Sequence, residues 1–181
     1  SSGVLIRNAD ALERAHRVDT VVFDKTGTLT EGKPAITSVE TFDVTQTELI
    51  RLAAAAESGS EHPLAAAVMA GAQARELDIP SASDVVATPG RGISASVDGL
   101  TILVGSPTFI SEKTAASYAF TEAGFKLAEK GETVLAVAKD GVPIGLIGVS
   151  DRVRPESSGA IATLKARGIH TVMLTGDNRR T

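Results

Sequence analysis

The sequence predicts an α/β protein of two domains. A parallel-sheet domain is assembled from both ends of the chain, and an α+β domain is inserted between them. Three observations predict it. Val18 to Asp24 is an apolar, β-branched run closing on a carboxylate, and Gly168 to Leu174 repeats that pattern near the other end. Asp98-Gly99 follows Ile93–Val97 and precedes Leu100–Val104, and Asp140-Gly141 follows Thr133–Ala138. Both pairs are hairpin turns, which belong to an antiparallel sheet.

Composition narrows the function classes. The chain has 181 residues, 43% hydrophobic and 22% charged, with no cysteine and no tryptophan. Those values exclude a disordered tail and a disulfide scaffold, and the absence of cysteine fits a reducing compartment. Eighteen Lys and Arg against 22 Asp and Glu give a formal charge of −4, so no nucleic-acid partner is expected. Aromatics at 3% leave no base-stacking platform. A bilayer crossing takes about 20 apolar residues in a row. The richest stretch, Leu64 to Ala74, is short and bracketed by Glu61 and Arg75. No signal peptide opens the chain, so it reads as a soluble cytosolic piece.

Along the chain, the first strand ends at Asp24 and the glycine-containing Lys25 to Thr30 turns away from it. Thr47 to Glu57 and Glu61 to Leu77 are helix-like, the second tolerating Pro63 in its first turn. After the first hairpin, Ala115 to Lys130 has helical character despite Gly124. Ile144 to Val149 is an apolar run ending at Ser150-Asp151, and Pro155 to Arg167 reads as a helix stopped by Gly168. With the strand to Leu174, this strand–helix–strand series predicts a βαβ crossover in the parallel sheet. Residues 1–32 and 142–181 are therefore assigned to the parallel domain and 33–141 to the insert. Asp24, Asp151 and Asp177 fall at or beyond strand C-terminal ends, the edge where open parallel sheets bind ligands.

Asp24-Lys25-Thr26-Gly27-Thr28-Leu29-Thr30 carries the most chemistry. A strand end holds a carboxylate rigidly, while the loop after it offers amides and hydroxyls to an anion. A carboxylate is a competent nucleophile toward phosphorus, and Mg²⁺ would favour its ionised form and neutralise an incoming phosphate. The bland alternative is an aspartate that caps a turn. These residues resemble the D-K-T-G-T-L-T sequence of P-type ATPases, ion pumps that phosphorylate its aspartate. The resemblance implies a haloacid-dehalogenase-like phosphorylation domain and an inserted nucleotide-binding domain. It implies that Asp24 is phosphorylated, with Lys25 in the same catalytic loop. Thr26 would then lend its carbonyl to Mg²⁺ and Thr28 would contact phosphate. Related phosphatases usually carry a second aspartate where this chain has Thr26, whose hydroxyl has no useful pKa for acid–base work. The phosphoenzyme should therefore persist, as a pump requires.

Further motifs extend the resemblance. Thr175-Gly176-Asp177 resembles the family's T-G-D motif, with Thr175 near the phosphate; a plain strand-end turn is its other reading. Asp151-Arg152-Val153-Arg154-Pro155 resembles the hinge where the chain re-enters the phosphorylation domain. Asp151 and Arg154 are then nucleotide contacts, against the alternative of a helix-start ion pair. Ser60-Glu61-His62-Pro63 resembles the S-E-H-P signature of the heavy-metal (P1B-type) branch, where His62 would orient ATP. A helix dipole disfavours a protonated ring at that position, and a neutral imidazole can stack on or hydrogen-bond a purine. By the same resemblance Glu57 accepts from the adenine amine, Gly90-Arg91-Gly92 is the G-x-G that lets backbone amides approach the nucleotide, and Gly105 lies near the pocket. The lysine-centred nucleotide motif of calcium and sodium pumps is not found.

The resemblance covers essentially the whole chain, with Gly3–Arg14 similar to the segment leaving a membrane helix. ATP and Mg²⁺ are the implied cofactors. The membrane and actuator domains of a parent pump are the implied partners, and a heavy-metal ion is bound elsewhere in it. The family's phosphate-site lysine and its G-D-G-x-N-D segment are not found by Thr181, so the piece alone is expected to form little phosphoenzyme. The string Glu57 to Leu64 looks most like copper pumps, which favours monovalent copper over zinc, cadmium or cobalt. A free-standing phosphatase and a non-catalytic nucleotide-sensing module are the competing readings.

Overall fold

The computed structural model describes residues 17–174. The chain divides into two units, residues 17–32 with 152–174, and residues 33–151. Each is described in turn.

Among the described residues, the first unit holds a two-stranded parallel sheet. β1 (Thr20–Asp24) pairs with β8 (His170–Leu174), Thr20 opposite His170 and Asp24 opposite Leu174. Both strands therefore end at one edge, with the nucleophile candidate on it. α5 (Pro155–Ala166) precedes β8, as the sequence predicts, with Pro155 in its first turn where a missing N–H costs nothing.

The second unit is a six-stranded sheet in the order β2-β7-β6-β5-β4-β3. Its strands are β2 (Thr30–Thr41), β3 (Ala82–Thr88), β4 (Gly92–Val97), β5 (Leu100–Gly105), β6 (Thr133–Lys139) and β7 (Val142–Val153). From β3 to β7, neighbouring strands pair antiparallel. The two hairpins fall where the sequence predicts. Asp98 and Gly99 have φ of 52° and 78°, and Asp140 and Gly141 have 48° and 78°. Positive φ at both central positions matches the strand twist and explains the Asp-Gly choice.

Helices cover both faces. α1 (Gln46–Glu57) and α2 (Pro63–Gln73) build one core with Ile93, Val104 and Ile147, and Ala53 to Ala56 are fully buried. Alanine there lets α1 lie close to the sheet. α3 (Pro107–Lys113) and α4 (Tyr118–Glu129) build the other core from Phe109, Ile110, Phe120, Leu127 and Leu146. Each fully buried Leu, Ile or Phe contributes about 1.5–3 kcal/mol. Three of these helices start on a hydroxyl cap: Thr45 accepts from Glu48 N–H at 3.1 Å, Ser106 from Phe109 at 3.2 Å and Ser117 from Phe120 at 3.2 Å.

One expectation is corrected. Ile144 to Val149 does not join the parallel sheet through a βαβ crossover. It lies in β7, antiparallel to β6, and the insert runs through Asp151, beyond the expected end at residue 141. The run is apolar because helices bury both sides of a central antiparallel strand, which leaves the same signature as a parallel one. β2, β3 and α3 were not anticipated. β2 contains Gly32 and Pro34 and ends the strand order, where proline is tolerated. β3 is mostly exposed and interrupted by a register shift between Ser83 and Val86, so it shows no alternation.

Candidate functional site

Two constellations carry the predicted chemistry, one in each unit. In the first, Asp24 ends β1 and is exposed, and its side chain makes no capping bond to the adjoining turn. The turn-capping reading of this carboxylate is thus not what the structure shows. The chain then folds over Lys25–Leu29 into a compact turn, with Thr26 extended (φ −79°, ψ 122°) and Gly27 left-handed (φ 76°, ψ −7°). Only glycine takes that conformation without strain. Thr26 and Thr28 are exposed on the turn, and Lys25 contributes its carbonyl to the turn's own bonding.

A buried hydroxyl closes this turn. Thr30, 3% exposed, donates from Oγ1 to Lys25 O at 3.0 Å and accepts from Gly27 N–H at 3.1 Å. The re-entry segment grips the same loop. Arg154 Nε donates to Thr30 O at 2.9 Å, its Nη2 donates to Gly27 O at 3.4 Å, and its backbone N–H donates to Leu29 O at 2.9 Å. Ser157 Oγ adds a second donor to Leu29 O at 2.8 Å. Thr30 and Ser157 were missed as site residues, because a single hydroxyl in a loop or helix start has no sequence signature for a partner so distant in the chain. Thr175, Gly176 and Asp177 lie outside the described residues, as does Gly3–Arg14; β8 carries the chain to Leu174 beside Asp24.

The second constellation is a cavity of about 320 Å³ within the insert. Glu57, His62, Gly90, Gly92 and Gly105 all line it, drawn from the end of α1, the start of α2, the β3–β4 turn and the strands β4 and β5. Asp151 and Arg154 do not. Asp151 instead accepts the Lys33 N–H at 3.0 Å, and Arg154 is engaged with the turn after Asp24. The volume falls at the lower end of small-ligand pockets, about 300–1,000 Å³.

Glu57 is 8% exposed, and burial pushes its carboxyl above the usual glutamate range. The hydrogen bond with Ser60 and the neighbouring His62 pull in the opposite direction. His62 is the N-cap of α2, and its Nδ1 accepts the Leu64 N–H at 3.2 Å. That bond gives Nδ1 the lone pair, so a neutral ring carries its proton on Nε2 and presents a donor at the cavity.

Gly92 and Gly105 are directly paired across β4 and β5. A Cβ on Gly92 would come 2.7 Å from Gly105 Cα and 2.9 Å from the Phe109 ring. One on Gly105 would come 2.8 Å from that ring. The two strands can approach here, with Phe109 beneath them, only without side chains. Arg91 also lines the cavity, a residue the sequence left unassigned. Its guanidinium lies 5.3 Å from the Phe109 ring centroid and is ion-paired with Glu112.

Across residues 18–181 the chain matches the family of haloacid dehalogenase-like hydrolases, and it belongs to that family. Within it the chain is similar to metal-transporting pumps, which bears out the resemblance drawn from its motifs. It is 43% identical over 178 residues to the copper-exporting P-type ATPase B of Archaeoglobus fulgidus, covering 98% of this chain and 25% of that one. Its structure is similar to that of a zinc-transporting PIB-type ATPase in the E2.Pi state, with a TM-score of 0.89 and 40% identity over 99% of this chain and 29% of that chain. It is also similar to the catalytic domain of the CPx-ATPase CopB-B (TM-score 0.68, 26% identity, 97% of this chain and 61% of that chain). The chain spans about a quarter of the length of the curated relatives it matches.

Proposed function

We propose that this chain is the ATP-binding and phosphorylation region of a heavy-metal-transporting P-type ATPase. The observation that carries the reading is the convergence of Glu57, His62, Gly90, Gly92 and Gly105 on one cavity. Adenine fits its chemistry. The carboxylate of Glu57 accepts from the exocyclic amine, Nε2–H of His62 donates to a ring nitrogen, and the glycines let the strand backbone approach the purine.

Asp24 is the phosphoryl acceptor. One carboxylate oxygen attacks the γ-phosphorus of ATP and forms a new O–P bond. The bond from that phosphorus to the β–γ bridging oxygen breaks, and ADP leaves with the electron pair. Asp24 needs no base, because an ionised carboxylate has no proton to lose. Thr26 offers no acid or base to hydrolyse the acyl phosphate, so its lifetime is left to other parts of the protein. Among the described residues no group of three or more His, Cys, Asp or Glu side chains gathers to form a metal cage. Phosphoryl-transfer sites hold Mg²⁺ through one or two carboxylates plus substrate phosphates, and the exposed Asp24 at the end of β1 offers such a carboxylate. Asp24 and the Thr26 carbonyl are the hard oxygen ligands we assign to it. When bound, Mg²⁺ supplies charge neutralisation between carboxylate and phosphate.

Among the described residues no helix is long and apolar enough to cross a membrane. We place the region on the cytoplasmic face of a pump whose membrane and actuator domains complete the cycle, with copper(I) as cargo. The copper-exporting relative supports that cargo. The test of the pocket is calorimetric titration with ATP. His62→Ala removes one hydrogen bond of about 1 kcal/mol, so affinity should fall roughly fivefold. Unchanged affinity would contradict the assignment.

A further inference from the structure

We propose that Arg154 and Ser157 are positioning residues for phosphoryl transfer, clasping the main-chain carbonyls of the turn that aims Asp24. The inference rests on Asp24 being the phosphoryl acceptor, and it departs from the nucleotide contact that the sequence assigns to Arg154.

The physical problem is one of aim. An in-line attack tolerates little error, and a misplacement of about 1 Å can cost about 10²-fold in rate. Asp24 sits at the end of β1, so fixing its carboxylate means fixing the turn beyond it. Hydrogen bonds perform that task. The Thr30 hydroxyl braces the turn from inside by joining Lys25 O to Gly27 N–H. That brace uses none of the carbonyls of Gly27, Leu29 and Thr30, and each of the three accepts from elsewhere.

All three find their donors in one place, the start of α5. Two nitrogens of the Arg154 guanidinium, Nε and Nη2, span Thr30 O and Gly27 O, the Arg154 backbone N–H donates to Leu29 O, and Ser157 Oγ donates to Leu29 O as well. The fork matters. A guanidinium presents two N–H groups in a fixed plane, so it sets the separation of the two carbonyls it bridges; an ammonium cannot. Ser157 is among the few buried polar residues of the described chain, at 7% exposed, and its hydroxyl is directed at the same loop. Two of the five guanidinium N–H donors are committed to peptide carbonyls of the loop, so the side chain bears on the reaction through the loop it holds.

The experiment uses the full-length protein that carries this chain, as wild type, Arg154→Lys, Ser157→Ala and Ser157→Thr. Three quantities are read: the rate of acid-stable labelling from ATP at saturation, the ATP dissociation constant, and amide hydrogen exchange over residues 25–30. Arg154→Lys should slow labelling at least tenfold, leave the dissociation constant within about twofold, and speed exchange at Gly27. Ser157→Ala should slow labelling about fivefold, the loss of one hydrogen bond, and Ser157→Thr should restore it. ATP binding at wild-type affinity certifies that the insert folds in each variant, and amide exchange across β1 and β8 at the wild-type rate certifies the unit that carries Arg154 and Ser157. A weakened dissociation constant with labelling retained at saturation overturns the clasp and returns Arg154 to the nucleotide. Labelling and exchange both unchanged in Arg154→Lys also overturn it. A wild type that takes no label overturns the underlying reading instead, and the exchange measurement alone then decides whether the clasp exists.

Discussion

The insert and the two-stranded unit solve opposite problems with the same amino acids. In the insert, Leu49, Ile102, Leu146 and Ile147 are at most 1% exposed, and two helical layers sandwich the sheet. Among the described residues of the other unit, Val22, Val172, Met173 and Leu174 are 48–64% exposed. The cavity that gathers Glu57, His62 and the glycines is held by packing, down to the absence of a Cβ at Gly92 and Gly105. The turn that presents Asp24 is held by hydrogen bonds to carbonyls. The cavity and the turn are thus held by different forces, and each should fail differently.

The largest contrast is in core truncation. Ile147→Ala should destabilise the insert by about 2–5 kcal/mol, whereas Val172→Ser, at a half-exposed position, should change stability by about 0.5 kcal/mol or less. Urea unfolding followed by circular dichroism reads both, and equal costs would break the comparison. Next comes Gly105→Ala. Forcing a methyl between Phe109 and the facing strand should cost about 1–3 kcal/mol and weaken ATP binding at the cavity, since the strand must shift. Binding that survives with stability lost would separate the fold role of this glycine from a ligand role.

The smallest effect is the most diagnostic of burial. Because the folded-state pKa of Glu57 is raised, the folded protein holds this proton more tightly than the unfolded chain. Stability linked to Glu57 is therefore full below its ordinary titration range and declines as pH rises through the raised value. Glu57→Gln removes that decline. The variant should match the wild type near pH 4 and gain on it toward pH 7 in a series of melting temperatures. A constant offset across pH would contradict the burial argument.

Much of the fold is legible in the sequence, and for identifiable reasons. Asp-Gly turns encode positive φ locally, so both hairpins fall where expected. The helices from Gln46 and Pro63 announce themselves by a capping threonine and a first-turn proline. The cavity residues could be named because their motifs resemble those of P-type ATPases; by itself a G-x-G is any turn and a helix-start histidine is a surface residue. Ile144 to Val149 misled, because an apolar run states that both faces are covered but not which way the neighbours run. α3 carried a usable sign, Ser106 before Pro107, a cap followed by a first-turn proline. The roles of Thr30, Arg154 and Ser157 were not legible, since they depend on which carbonyls a distant segment meets, and that is decided only by the folded chain.

The central claim is that one carboxylate at the end of β1 receives the terminal phosphoryl group of ATP. It is tested most directly by incubating the full-length protein with ATP radiolabelled on the γ-phosphate, quenching in acid, and mapping the label in wild type and Asp24→Asn. We predict a hydroxylamine-sensitive label on the peptide containing Asp24 that is absent from the variant, while ATP affinity is retained. Label on another residue, or label undiminished in Asp24→Asn, would contradict the account.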